Sequence, residues 1–326
     1  MLAEHVGVRR VSVDRRDVVE VRCCYGAPSE RIQNRYGSCG AMIPYQPRQP
    51  CPECGQPQVN AHAPMPPDDA RVLDGSVALV DGGEVVAAQV LGASAIASRL
   101  AGEFRQVHWD APVNARNKPA NEGRLSGIVV THRTFGFTPP VPLRRRYHCA
   151  QSRLDVDHPV ISGLIAEFCA EAEHAFRVQA PDAYAATTTR IHDLIPNRWL
   201  IAGTPWTSGI INHTAALPYH RDKNNVPGSW SAMLCARHAM AGGLLHLADY
   251  DVWLTVPHGS LLVFDGQSVV HGVSPMRPTG PNPYRFTLVT YARLGMRVCA
   301  PNPADEARRA QVAATMAEER RAAARR

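Results

Sequence analysis

The chain has 326 residues, 45% of them apolar and 20% charged, which supports a sizeable buried core and excludes a wholly disordered protein. Its formal charge is +6 and its pI about 8.9; nearly all the positive charge is arginine, since Lys118 and Lys223 are the only lysines, and that bias permits a polyanionic partner. No apolar run approaches the roughly 20 residues of a membrane span. The first residues, Met1-Leu2-Ala3-Glu4-His5, carry no hydrophobic signal core, and the nine cysteines form no even-count secreted framework, so a cytoplasmic, reducing location is expected.

Residues 1–60 read as one unit. Val11-Ser12-Val13 and Val18–Val21 look like short strands around an Asp14–Asp17 turn. Cys51-Pro52-Glu53-Cys54-Gly55 then has the spacing of a zinc knuckle, two thiolates two residues apart with a glycine that lets the chain curl round the metal. Cys39-Gly40 looks like half of a second knuckle, and Cys24 (or Cys23) is left to complete it, so Cys24, Cys39, Cys51 and Cys54 are the expected ligands of a structural zinc ribbon. Residues 61–75 are expected to be a linker, within a Pro- and Gln-rich stretch that begins near 56. Val77–Val80 and Val85–Ala87 flank Asp81-Gly82-Gly83, a hairpin signal.

A helix is expected over 94–105. Residues 110–146 carry Arg116, Lys118, Arg124, Arg133 and the run Arg144-Arg145-Arg146 with little periodicity, which reads as loops around short strands, either a solvated surface or a phosphate contact. The clearest helix covers 158–177, capped by Asp157 and opened by Pro159, with Val160, Ile161, Leu164, Ile165, Phe168, Ala172, Ala175 and Phe176 on one face. From residue 200 the pattern changes to short strands, at 200–203, 208–213, 231–236, 243–248, 251–256, 260–264, 268–273 and 284–292. The expected fold class is α+β: a double-stranded β-helix (jelly roll) over 76–303, buttressed by helices and preceded by the small zinc ribbon. The basic tail, 304–326, reads as a frayed helix or disorder.

Four residues of this region carry the chemistry. His220-Arg221-Asp222 offers a His-x-Asp pair, whose alternate residues share one face of a strand. His271 follows a buried strand and turn, Ser260–Gly266. Two imidazoles and one carboxylate form the open facial set that holds Fe(II) and leaves positions for a bidentate 2-oxo acid and then O2. Arg285 lies fourteen residues further on, and its planar guanidinium suits the far carboxylate of that co-substrate. The chain reads as an Fe(II)- and 2-oxoglutarate-dependent oxygenase.

The run from Gly203 to Cys299 resembles the ten-eleven-translocation/J-binding-protein (TET/JBP) family of nucleic-acid oxygenases, in its bacterial or phage form. The matching pieces are Gly203-Thr204-Pro205-Trp206-Thr207-Ser208-Gly209, His220–Asn225, Gly242-Gly243-Leu244-Leu245-His246-Leu247, Phe264-Asp265-Gly266-Gln267 with His271–Pro275, and Arg285–Tyr291. The resemblance implies oxidation of the 5-methyl group of a flipped pyrimidine in DNA, 5-methylcytosine first and thymine second, with Fe(II), O2 and 2-oxoglutarate. It implies that His220, Asp222 and His271 bind iron. Arg285, Thr287 and His246 would hold 2-oxoglutarate, Asn225 would read the base, and Tyr291 would stand by the methyl group. Where some members carry a small polar residue this chain has Ile210, with Asn212 on the same face as the available polar group near the reacting centre. Arg221 and Arg145 are the cationic residues expected to meet DNA. A hydroxylase of a free small molecule or amino acid with the same iron site is the alternative; a DNA-binding module on a dead oxygenase fold does not suit the intact metal and arginine set.

Overall fold

The computed structural model describes residues 7–17, 19–22, a few short stretches between 25 and 63, and 65–107, 131–141, 147–214, 216–217 and 219–323. Cys24, Cys39, Cys51, Cys54, Cys23 and Arg145 lie outside the described residues, and so do the zinc ribbon and most of the arginine-rich 110–146 stretch.

The elements that position the site are β1 (Arg9–Ser12), β2 (Val77–Asp81), β3 (Glu84–Leu91), α1 (Ser94–Phe104), β4 (Thr131–Thr138), α2 (Pro159–Gln179), α3 (Pro181–Leu194), β5 (Ser208–His213), β6 (Ser231–His238), β7 (Leu245–Leu247), β8 (Val252–Leu254), β9 (Ser260–Phe264), β10 (His271–Val273), β11 (Tyr284–Tyr291) and α4 (Pro303–Ala323). The large sheet runs β1-β2-β3-β9-β6-β11-β5-β4 and ends on the short strand Ala150–Gln151. A smaller sheet runs β10-β7-β8 and ends on Val72–Leu73, and an isolated antiparallel bridge His220↔His271 adds the chain at His220 to its other edge. From β5 onward the chain alternates between the sheets so that β5, β6, β9 and β11 share one and the His220 segment, β7, β8 and β10 share the other. That is the strand exchange of a two-sheet, jelly-roll-like core within an α+β structure.

The large sheet is covered on both faces, which explains why Ser231–Ala236 is buried throughout instead of alternating. Ala232, Leu234 and Ala236 of β6 and Phe286 and Leu288 of β11 pack against α1 and α2, with Leu100, Phe104, Ile165, Phe168 and Phe176. Met233 and Cys235 turn the other way, toward Leu245, Leu247, Val252 and Val273 of the small sheet. The two sides of each strand therefore have different duties: one anchors the helical buttress and the other lines the barrel.

Helix α1 has the expected extent, and α2 starts at Pro159 as expected. Asp157 does not cap α2; its carboxylate takes the Arg153 guanidinium at 2.7 Å, and the cap position is His158. Val160 is 62% exposed and drops out of the expected apolar face, while Cys169 joins it. Helix α3, which buries only Thr187 and Ile191, and the five-residue helix Arg153–Asp157 offer little apolar face and escape a pattern reading. Residues 200–203 form 3-10 turns, with Ala202 at φ 49, where a strand is expected. Strand β1, expected inside the N-terminal unit, lies parallel to β2 in the large sheet, and Val72–Leu73, expected in a linker, pairs with β8. Residues 303–323 are helical. Cys149 and Cys299 are joined in a disulfide across 150 residues, which the reading of a reducing location does not anticipate. Among the described residues no helix is long and apolar enough to cross a membrane.

Candidate metal centre

The backbone brings the three expected ligands together by hydrogen bonds. His220 and His271 exchange both, N–H to carbonyl at 2.9 and 3.0 Å, and the Asp222 N–H donates to the Gly266 carbonyl at 2.9 Å. One potential ligand atom from each of His220, Asp222 and His271 lies within 4.8 Å of the other two. The His220 Nε2 to Asp222 Oδ1 distance is 3.7 Å, and the two imidazole centroids are 4.2 Å apart.

His271 and Asp222 are oriented from behind. His271 is buried and its Nδ1 lies 2.9 Å from the Val269 carbonyl, which makes Nδ1 the protonated nitrogen and leaves the Nε2 lone pair for a metal. Burial, then the neighbouring His220, hold the His271 pKa well below its ordinary value, so the imidazole is neutral, the form that ligates. The Asp222 Oδ2 accepts long hydrogen bonds from Asn225 Nδ2 (3.4 Å) and Ser231 Oγ (3.5 Å), while Asn225 Nδ2 also donates to Ser231 Oγ at 3.1 Å. Burial raises the Asp222 pKa, opposed by His220 and by these hydrogen bonds. A carboxylate taken from water beside two imidazoles fits a site completed by a cation. Gly266 makes room for it: a Cβ at that position would stand 2.5 Å from Asp222 Oδ2.

The ligands open into a cavity of about 470 Å³, which also carries Arg285, Thr287, Tyr291, Asn212 and Asn225. Its apolar walls include Leu217, Met233, Leu245, Phe264, Val273 and Val289. Arg285 is 1% exposed; one terminal nitrogen donates to the Gly243 carbonyl at 3.0 Å, and its buried Nε has no hydrogen-bond partner. A buried donor without an acceptor is costly, and it points at where an anion belongs. Thr287 and Asn212 are directly paired across β11 and β5 and share this face. Burial, partly offset by Arg293, keeps the Tyr291 phenol protonated by raising its pKa.

Two expected roles find a different setting. His246 is not brought to the cavity: in β7, Leu245 and Leu247 face the inter-sheet core, so strand alternation turns His246 outward. There it stacks on Trp253 at 4.1 Å between centroids, with its Nδ1 2.6 Å from the Tyr219 hydroxyl and its Nε2 3.2 Å from Asp251 Oδ1. Asn225 lines the cavity, but its amide N–H groups reach Asp222 and Ser231. Arg221 sits at the rim; its Nε donates to the Ser268 carbonyl at 3.1 Å and its Nη2 is 3.5 Å from buried Asp249. Asp249 in turn accepts from the Val270 N–H at 2.5 Å and from Arg15 at 3.0 Å, which fixes the strand that carries His271. Pattern reading misses Ser231, His132 and Arg293, all at the site. Ser231 shares its face with Met233 and Cys235, but uniform burial of 231–236 leaves no alternation that marks it; His132 and Arg293 reach the cavity only through β4–β5 pairing and the Asn225↔Arg293 bridge.

No family model and no curated protein matches this chain. Similar solved structures include NgTET1 in complex with 5mC DNA, with a TM-score of 0.47 and 13% identity over 71% of this chain and 85% of that one. A bsmA homologue from Methylobium petroleophilum aligns with a TM-score of 0.32 and 13% identity over 63% of this chain and 84% of that one. A protein of Shewanella oneidensis, provisionally called an oxygenase, aligns with a TM-score of 0.32 and 18% identity over 64% of this chain and 82% of that one. These overlaps are loose, and the architecture stands on its own strand order.

Proposed function

We propose that this chain is an Fe(II)- and 2-oxoglutarate-dependent dioxygenase of the TET/JBP kind that oxidises the 5-methyl group of a pyrimidine in DNA, with 5-methylcytosine converted to 5-hydroxymethylcytosine favoured over oxidation of thymine. The observation that carries it is a single cavity holding both the His220–Asp222–His271 face and the buried Arg285 with its unpartnered Nε. In the overall reaction O2 and 2-oxoglutarate become succinate and CO2, and one oxygen atom enters the methyl C–H bond; bound iron would supply the O2 chemistry.

The protein's own residues supply placement. His220, Asp222 and His271 would hold the metal on one side, and Arg285 with Thr287 would take the distal carboxylate of 2-oxoglutarate. The apolar walls exclude water from the reacting centre. Tyr291 offers an aromatic wall with a hydroxyl tip, and Asn212 a polar contact beside Ile210. A methyl group inside a duplex is out of reach of a recessed metal, so the base would be flipped into the cavity, whose lining includes Arg221, Lys223, Asn224 and Arg293. The zinc ribbon on Cys24, Cys39, Cys51 and Cys54 remains part of this proposal as a structural unit, with Arg145 as a further DNA contact. The engagement of the Asn225 amide by Asp222 and Ser231 weakens its claim as the base reader, and it favours keeping the small-molecule hydroxylase as the second reading.

The test is anaerobic reconstitution with Fe(II), then air, 2-oxoglutarate and duplex DNA containing either 5-methylcytosine or only thymine, followed by nucleoside mass spectrometry. Gain of one oxygen on one pyrimidine is the expected result. Consumption of 2-oxoglutarate with no change in any nucleoside would move the reading to the small-molecule hydroxylase, and the absence of both 2-oxoglutarate consumption and nucleoside change would sink the oxygenase reading.

A further inference from the structure

Behind Arg285 stands a second guanidinium that the oxygenase reading does not use. Arg237 of β6 and Arg285 of β11 are direct cross-strand partners, so their side chains leave the same face of the large sheet, toward the barrel. Arg237 is half-buried and donates through Nη2 to the carbonyls of Met240 and of Gly242, the latter at 2.9 Å. Arg285 donates to the next carbonyl, that of Gly243. The two guanidiniums therefore grip one turn between them.

That turn is shaped for the purpose. Gly242 and Gly243 sit at φ 75 and 70, the left-handed region where a side chain is strained. A Cβ on Gly243 would stand 2.9 Å from Arg285 Nε, and one on Gly242 would overlap the Pro275 carbonyl oxygen. The Gly-Gly pair lets the arginine pass at contact distance from the backbone.

The charge balance is the second observation. Neither guanidinium meets a carboxylate among the described residues; their hydrogen-bond partners are backbone carbonyls and, for Arg285, the Cys235 thiol. The neighbouring titratable group, the Cys235 thiol, is pushed up by burial and stays protonated, so it brings no negative charge. Two like charges directly opposite on a sheet are destabilising, more so when desolvated. With Arg285 Nε also left without an acceptor, this end of the barrel is short of negative charge.

We propose that Arg237 is a positioning and specificity residue for the co-substrate: it fixes the 240–243 turn around Arg285 and adds a second positive charge that selects a 2-oxo acid bearing a second carboxylate over a monocarboxylate one. The proposal rests on the oxygenase reading and extends it to a residue that does not line the cavity. At an effective dielectric of about 20, a second cation acting on a carboxylate from just beyond contact changes affinity on the order of tenfold.

The experiment measures binding, not turnover. The full chain, kept anaerobic with Fe(II), is titrated calorimetrically with 2-oxoglutarate and with 2-oxobutanoate, the latter by displacement. The wild type is expected to prefer the dicarboxylate, and Arg237→Gln, which can still donate to a carbonyl but has no charge, to lose about tenfold of that preference. Arg237→Lys keeps the charge and should retain most of it. An Arg237→Gln protein with unchanged preference, or one weakened equally for both acids, would reduce Arg237 to a clamp on the turn and overturn the proposal. A wild type that binds neither acid would overturn the oxygenase reading and this inference together. A measurement that needs no variant guards against misfolding: glutarate should raise the melting temperature of the metal-free wild type and its neutral isostere glutaramide should not. Equal shifts from the two would also refute the two-cation site.

Discussion

Gly266→Ala isolates the geometry of the metal centre from its chemistry, because it changes no ligand and no charge. The added Cβ would lie 2.5 Å from Asp222 Oδ2 and 3.3 Å from its Cγ. Ordinary contact needs roughly 0.9 Å more, so the carboxylate must turn or the Asp222–Gly266 backbone bond must lengthen. Turning it takes Oδ2 away from Asn225 and Ser231 and moves Oδ1 relative to His220 and His271. Loss of the outer hydrogen bonds of a metal ligand typically weakens binding about 10- to 100-fold. The expected result is a fall in Fe(II) or Co(II) affinity of that size, measured by competition with a chelating dye. Thermal stability of the metal-free protein should change by no more than about 1 kcal/mol, since the strain is relieved by one side chain. Wild-type metal affinity in Gly266→Ala would refute the placement of Asp222 as a ligand held against that glycine.

Asn225→Ala separates two roles: if the amide chiefly orients Asp222, metal affinity should fall about tenfold through loss of a buried donor. A variant with unchanged metal affinity and altered preference between 5-methylcytosine and thymine would return Asn225 to base reading. His246 makes a pH prediction. Burial lowers its pKa from 6.5 to about 4, with Asp251 opposing, so the folded state binds fewer protons than the unfolded chain between these values. Stability should therefore be fully present above about pH 6.5 and fall by on the order of 3 kcal/mol as pH drops toward 4, read from denaturant midpoints. His246→Gln should flatten that part of the curve, and an unchanged slope in the variant would show that other groups carry it.

The candidate ligand set and the class of core were legible because they follow short-range rules. His220-x-Asp222 puts two candidate ligands two residues apart, although only His220 makes a β-bridge and no strand forms there, and the runs at 208–213, 260–264 and 284–292 are punctuated by glycine and proline. Helix α2 announced itself by a 3.6-residue apolar period. The mixture of duties within one strand was not legible. In β6 every residue from 231 to 236 is buried, so hydrophobicity carries no parity, and nothing local distinguishes Ser231 and Arg237, which face the barrel, from Ala232 and Leu234, which face the helices.

By itself the sequence determined which atoms were available: two imidazoles, a carboxylate, an arginine and a pair of glycines, in or beside short strands. Tertiary structure alone decided which of them meet. Strand pairing put Arg237 beside Arg285, turned His246 away from the cavity, brought Gly266 under Asp222, and drew β1 and Val72–Leu73 out of the expected N-terminal unit and linker into the two sheets. Those outcomes depend on register between segments tens of residues apart, where a shift of one residue reverses the face every side chain presents.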